Sequence, residues 1–306
     1  MCDAFCVNED TVNAVVAEVE KRTGQPVECA CHVLAAESVA KLPEMIRVVY
    51  YGTEVCERGI PDERELAGVF KACSGRRAGL VLVTPPMSDA GIVCLRRIVK
   101  AVVDDKCLSG VVLNDYGAFV ELREAGIHCE LALGRVLTRQ YCDPKCSYIV
   151  DTRSGPKVLR VALPGGGREI TILVKALDRL DEILQGLPAL FPETLTYLKK
   201  LGVSRFEVSN TYQGIDAPGL DGIALSLHYP LTLISTGRIC WAGGESQSGS
   251  NGVCARQCWQ QYRKLRNPLL SGALVQAGVG LFYSNEKLPE KLTQIDRVVL
   301  HEGVVA

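Results

Sequence analysis

The sequence has almost no excess charge of either sign. Its 34 basic and 35 acidic residues leave a formal net charge of −1, so bulk attraction to nucleic acid is not expected. No stretch approaches the ~20 uninterrupted apolar residues of a spanning helix. The opening MCDAFCVNEDTVN has no basic segment followed by an apolar run, so no secretory leader is expected either, and the chain reads as cytoplasmic. There is no fixed-period repeat and no low-complexity tract. Neither an HExxH helix nor a GxSxG elbow occurs, which removes two common hydrolase signatures. Histidine is scarce, limited to His32, His128, His228 and His301.

What the chain has in quantity is ordinary globular composition and cysteine. Of 306 residues, 47% are hydrophobic and 23% charged, enough to bury a core without covalent staples. Fourteen cysteines in a reducing compartment argue against a disulfide framework. Clustered thiols there read as metal ligands or redox groups. Cys73, Cys94, Cys107 and Cys129 lie in apolar periodic segments and read as small core residues.

Short apolar runs alternate with helical spacing. Strands are expected at 47–52, 79–84, 110–115, 129–134, 204–210, 279–284 and 296–302. Helices are expected at 62–73 with an Asp62 cap, and at 89–103, 116–126, 192–202 and 285–294. Residues 157–176 read either as a hairpin around GGG or as two unrelated strands. Strand starts in the N-terminal half fall roughly 20 to 30 residues apart, the rhythm of βα units. The fold expected is α/β, a distorted or partial (β/α) TIM-like barrel spanning 44–306, with a cysteine-bearing loop near its C-terminal end. Residues 1–43 read as an N-terminal extension carrying an amphipathic helix at 9–24.

In such a barrel the chemistry sits at the C-terminal ends of the strands. Cys240, Cys254 and Cys258 form C-x13-C-x3-C around the Gly/Ser-rich loop 243–252. Three thiolates and a fourth ligand would satisfy zinc or an iron–sulfur cluster; the bland reading is a loop with reduced thiols. Cys142 and Cys146, in YCDPKC, share the three-residue gap and compete as ligands. Cys29, Cys31 and His32 resemble a metal site, but strand alternation would equally bury both cysteines on one face. Among polar residues, His228, Arg238 and Glu207 are the catalytic candidates: His228 opens the segment leading to Cys240, Arg238 lies two residues before it, and Glu207 sits on a strand. Asp115, Asn114 and Glu54 lie at strand ends, where a cap and a site residue look alike.

The segment Thr236-Gly237-Arg238-Ile239-Cys240 followed by Cys254-Ala-Arg-Gln-Cys258 resembles the peptidase U32 family. Upstream, YYGTEVCERG is similar to the corresponding strand-end segment of its UbiV-like branch, which acts in oxygen-independent ubiquinone biosynthesis. The resemblance spans roughly 44–300. It implies a 4Fe–4S cluster on Cys56, Cys240, Cys254 and Cys258, with zinc as the alternative metal. It implies an oxygen-independent hydroxylation of quinone-precursor type on a small molecule, in a heterodimer with a second U32-family subunit. The family name implies a peptidase instead. A third reading is a scaffold subunit with a structural metal. The near-neutral charge disfavours RNA as substrate.

Overall fold

A computed structural model of the chain describes residues 7–102, 108–145, 156–162, 169–174, 184–220, 222–237, 239–242, 254, 256–260, 262–266, 270 and 274–303. Its strands are β1 (Glu28–Val33), β2 (Val48–Gly52), β3 (Gly79–Thr84), β4 (Leu108–Leu113), β5 (Glu130–Leu133), β6 (Lys157–Ala162), β7 (Glu169–Val174), β8 (Val203–Ser209), β9 (Ala224–Tyr229), β10 (Leu231–Thr236), β11 (Arg263–Leu265), β12 (Leu274–Ala277), β13 (Gly280–Ser284) and β14 (Arg297–His301). Its helices are α1 (Glu9–Thr23), α2 (Ala36–Val39), α3 (Glu63–Arg76), α4 (Asp89–Val102), α5 (Tyr116–Glu124), α6 (Arg135–Thr138), α7 (Pro192–Lys200) and α8 (Gln257–Gln260).

Eight parallel strands close a barrel in the order β1-β14-β9-β8-β5-β4-β3-β2. The expected (β/α) barrel is therefore present, closed by the β1–β14 pairing, and two-residue alternation divides each strand's side chains between its outer and inner faces. Outward positions such as Cys29, Cys31, Val49, Leu80, Phe206, Leu225 and Val298 join one large core with helix residues Val12, Leu66, Leu95, Phe119 and Leu198. Each such aliphatic burial contributes about 1.5–3 kcal/mol. Inward positions Ala30, Val48, Tyr50, Val81, Val112, Ala132 and Val299 form a separate, smaller apolar layer inside the barrel.

The helices obey local rules. α3 starts on a capping box in which Asp62 Oδ1 accepts from Glu65 N at 2.8 Å and Glu65 Oε2 accepts from Asp62 N at 2.9 Å. Asn8 caps α1, and Gly24 closes it in the left-handed region. Asp115 caps α5 by accepting from Gly117 N at 2.7 Å, so its place is structural.

Several elements differ from the sequence expectation. β1 falls within residues 1–43 and pairs with both β2 and β14, so the barrel begins upstream of the boundary placed at 43/44. The segment 279–284 is a strand but not a barrel strand: β13 belongs to an antiparallel sheet ordered β10-β13-β12-β11. Pro230 divides the apolar run 224–234 between β9 in the barrel and β10 in that sheet. Residues 285–294 form no helix. Pro289 interrupts their helical spacing, and their carbonyls are taken by side chains elsewhere: Asn210 Nδ2 donates to Asn285 O at 2.7 Å, and Arg22 Nη1 to Leu288 O at 2.9 Å. β6 and β7 pair antiparallel from Lys157↔Val174 to Ala162↔Glu169, the hairpin alternative; its connecting residues lie outside those described.

Candidate acid–base site at the barrel mouth

The inward faces of six strands place their polar residues on one path along the barrel axis. Near the N-terminal ends, Arg297 pairs with Glu28 at 2.6 Å and with Glu130 at 3.0 Å, and Arg205 pairs with Glu130 at 2.9 Å. Arg297 Nη1 donates to the Tyr50 hydroxyl at 3.0 Å. Tyr50 donates in turn to Glu207 Oε1 at 3.0 Å. Glu207 Oε2 lies 2.7 Å from His228 Nε2, and His228 Nδ1 lies 3.0 Å from His301 Nε2. Glu207, His228, His301 and Tyr50 are all buried.

Register explains the convergence. Ser209 on β8 stands beside His228 on β9, and His32 on β1 stands between His301 on β14 and Tyr50 on β2. His32, His228 and His301 thus occupy the C-terminal end of the barrel, the chemical face of this architecture. His32 Nε2 lies 3.2 Å from the Gly52 carbonyl. A carbonyl only accepts, so His32 carries its proton on Nε2 and its Nδ1 is an acceptor. Nδ1 of His32 and Nδ1 of His301 find no hydrogen-bond partner among the described residues. Gly52 is required for this arrangement. Its φ is +124°, and a Cβ there would stand 2.2 Å from Val83 O.

A second pair frames the mouth. Arg135 opens α6 immediately after Gly134, where a Cβ would stand 2.1 Å from Asn114 Oδ1. That close approach lets Asn114 accept from Val136 N at 3.0 Å and donate to Thr84 O at 2.9 Å, fixing α6. Arg135 then reaches across the mouth. Its Nε donates to Glu54 Oε1 at 2.9 Å, and a second nitrogen bonds Glu54 Oε2. Its Nη1 donates to Leu231 O at 2.6 Å and Ser209 Oγ at 3.2 Å. Both partners are buried, and the bidentate geometry supplies what a desolvated pair needs.

Burial sets the proton affinities. Glu207 is pushed up to about 7 by burial, against the opposing pull of Arg205 and Arg297 and the Tyr50 hydrogen bond, while the Glu54 charge pushes it further up. Glu54 goes the other way, to about 2: burial is the largest single influence and would raise it, but the Arg135 charge and hydrogen bond, with His228 and His32, together lower it by more. His32 is lowered to about 4 by burial, with Glu54 opposing. Burial also lowers His228 and His301 well below the usual imidazole value, and the neighbouring Arg135 charge adds to this. At neutral pH the mouth therefore holds three neutral imidazoles, one firmly ionised carboxylate and one carboxyl poised at its midpoint. Two carboxylates pushed apart in this way are a recurrent basis for acid–base division of labour.

Of the three catalytic candidates read from the sequence, the barrel brings Glu207 and His228 into contact; Arg238 lies outside the described residues. His32, His301 and Glu54 join them, with Tyr50 and Arg135, which sequence reasoning passed over. An open groove of about 580 Å³, lined by Asn13, Glu20, Glu28 and Arg47 among others, lies instead beside the N-terminal starts of β1 and β2.

The metal expectation is overturned. Among the described residues, no group of three or more His, Cys, Asp or Glu side chains could hold a metal ion, which removes both the 4Fe–4S cluster and zinc. Cys56, Cys240, Cys254 and Cys258 are nevertheless neighbours. Cys258 packs with Val55, Leu231 and Phe282, and Arg256 ties the segment to Glu65 of α3 at 2.6 Å and to Ile60 O of the β2–α3 connection at 3.0 Å. The Cys258 thiol is pushed up to about 12 by burial and then by the Cys240, Cys56 and Cys254 charges. Burial likewise raises Cys56. Burial thus holds the Cys56 and Cys258 thiols toward their protonated form. Cys142 is a half-buried thiol, pushed up to about 12 by desolvation, and Cys146 lies outside the described residues. Cys29 and Cys31 face the helices while His32 faces the barrel interior, so these three do not converge. No described helix is long and apolar enough to cross a membrane.

No protein-family model matches the chain, and no curated protein matches it. Among solved structures, the chain is similar to that of the U32 peptidase Mk0906, at 10% identity over 91% of this chain and 94% of that one, with a TM-score of 0.42.

Proposed function

We propose that the protein is a hydrolase in which Glu207 and His228 perform general acid–base catalysis on water at the C-terminal mouth of the barrel. One observation carries this reading: a buried carboxyl poised near neutrality lies 2.7 Å from a neutral imidazole on the neighbouring strand. A group with its midpoint at the working pH both takes and returns a proton efficiently. Hydrolysis needs both steps, one to activate water and one to protonate the leaving group. The resemblance of the cysteine segments to the U32 family selects the bond to try first, a peptide amide. The quinone-type hydroxylation implied by the same segments relied on an iron–sulfur cluster and is not carried further.

The test is hydrolysis of a mixed-sequence peptide library, read by mass spectrometry. Cleavage by the wild-type chain should fall about 100- to 10,000-fold in Glu207→Gln and in His228→Asn. Cys254→Ala, which leaves the hydrogen bonds among Tyr50, Glu207, His228 and His301 in place, should retain it. Absence of cleavage of peptide, amide and ester substrates by the wild-type protein, or cleavage indifferent to both mouth variants, overturns the reading.

A further inference from the structure

The acid–base reading accounts for Glu207 and His228 but leaves a second imidazole, His301, in line with them. Glu207 Oε1 is occupied by the Tyr50 hydroxyl, which donates to it, so any proton on Glu207 sits on Oε2, facing His228. Each neutral imidazole carries one N–H and one lone pair. The two contacts, Oε2 to Nε2 and Nδ1 to Nε2, therefore allow two consistent arrangements. With Glu207 ionised, His228 Nε2–H donates to Glu207 and His301 Nε2–H donates to His228 Nδ1. The Nδ1 of His301 is then a lone pair. With Glu207 protonated, every donor reverses and His301 Nδ1 carries a proton. That atom is buried and finds no partner among the described residues.

We propose that Glu207, His228 and His301 form a reversible proton relay whose substrate end is Nδ1 of His301, and that this atom engages the exchangeable proton of a hydroxyl group, water first. This rests on reading the mouth as an acid–base site. The balance is complete. Water loses a proton to His301 Nδ1, His301 Nε2 passes its proton to His228 Nδ1, and His228 Nε2 passes its proton to Glu207 Oε2. Both rings end neutral, with their tautomers exchanged. The reverse sequence delivers one proton to the leaving amine, so a full hydrolytic cycle leaves the protein unchanged. The charges around the relay hold it in this mode. Arg205 and Arg297 face Glu207 from below, and Glu54 adds its charge to the same carboxyl. Arg135 and His32 act on both relay imidazoles. His301 meets the reacting water directly, and its tautomer reports the state of the relay.

The experiment is ¹⁵N NMR of the full chain labelled at histidine, across the neutral pH range, with His301→Gln to assign the signals. In the wild-type protein, His301 Nδ1 should change from protonated to unprotonated type as pH rises through the Glu207 midpoint, while Nε2 changes oppositely and the ring stays neutral. Glu207→Gln places an amide N–H against His228 Nε2, because Tyr50 still requires an acceptor at Oε1. It should fix His301 Nδ1 in the protonated type at every pH. A wild-type His301 tautomer that is the same on both sides of the Glu207 midpoint overturns the relay, whether or not the variant folds. A tautomer exchange in a protein that hydrolyses nothing supports the relay and removes the hydrolase reading alone.

Discussion

Lowering the pH from 6 to 5 should destabilise the protein steeply, and the mouth residues set the slope. Three histidines are held neutral by burial: His32 at about 4, and His228 and His301 well below 6.5. In the unfolded chain they titrate near 6.5, so below that pH the unfolded state binds three protons that the native state refuses. Glu207 acts oppositely. Its native value of about 7 against 4.5 unfolded means the native state holds one proton that the unfolded state lacks between those limits. The net difference in this window is close to two protons in favour of the unfolded state, so stability should fall by ~2.5 kcal/mol between pH 6 and pH 5. Glu207→Gln removes the opposing contribution, and the loss over the same interval should rise to ~4 kcal/mol. Urea unfolding followed by circular dichroism at half-unit pH steps measures both slopes. A wild-type slope near zero, or a variant slope no steeper than wild type, would refute the placement of these four groups in a dry barrel interior.

Other substitutions test the frame. Arg135→Met should cost about 3–5 kcal/mol, because it strands a buried carboxylate, and adding Glu54→Gln should recover most of that loss in the same unfolding assay. Gly52→Ala should cost on the order of 3 kcal/mol, since its Cβ would meet a backbone oxygen in a left-handed conformation; thermal unfolding reads the change. Asp62→Ala removes the α3 cap and should cost about 1 kcal/mol without altering the pH slope.

Much of the barrel was legible because each βα unit announces itself locally. VVYYG, GLVLVT and their helices carry periods of two and 3.6 that need no knowledge of the rest of the chain. Glu207 was singled out as a carboxylate on a strand, and His228 because it opens the segment leading to Cys240. The site as a whole was not legible. Tyr50 and Glu207 meet across 157 residues of sequence, and His32 meets His301 only through barrel closure. A signal did exist: in ECACHV and RVVLHE a histidine stands at the strand end two residues after a small or β-branched inward residue, Ala30 or Val299. Arg135 offered none, since its position depends on the Gly134–Asn114 approach. The cysteines misled because spacing reports which thiols are near in sequence, not whether their side chains form a group that could hold a metal ion. The 285–294 segment misled because helical spacing was outweighed by tertiary hydrogen bonds and Pro289.

The central claim is that Glu207 exchanges a proton near neutral pH. The direct measurement is a ¹³C NMR titration of the carboxyl carbons in glutamate-labelled protein, with Glu207→Gln to assign the signal. The account predicts a single-proton transition with its midpoint near 7, the value its burial sets. A midpoint close to the ordinary glutamate value of 4.5 would contradict it.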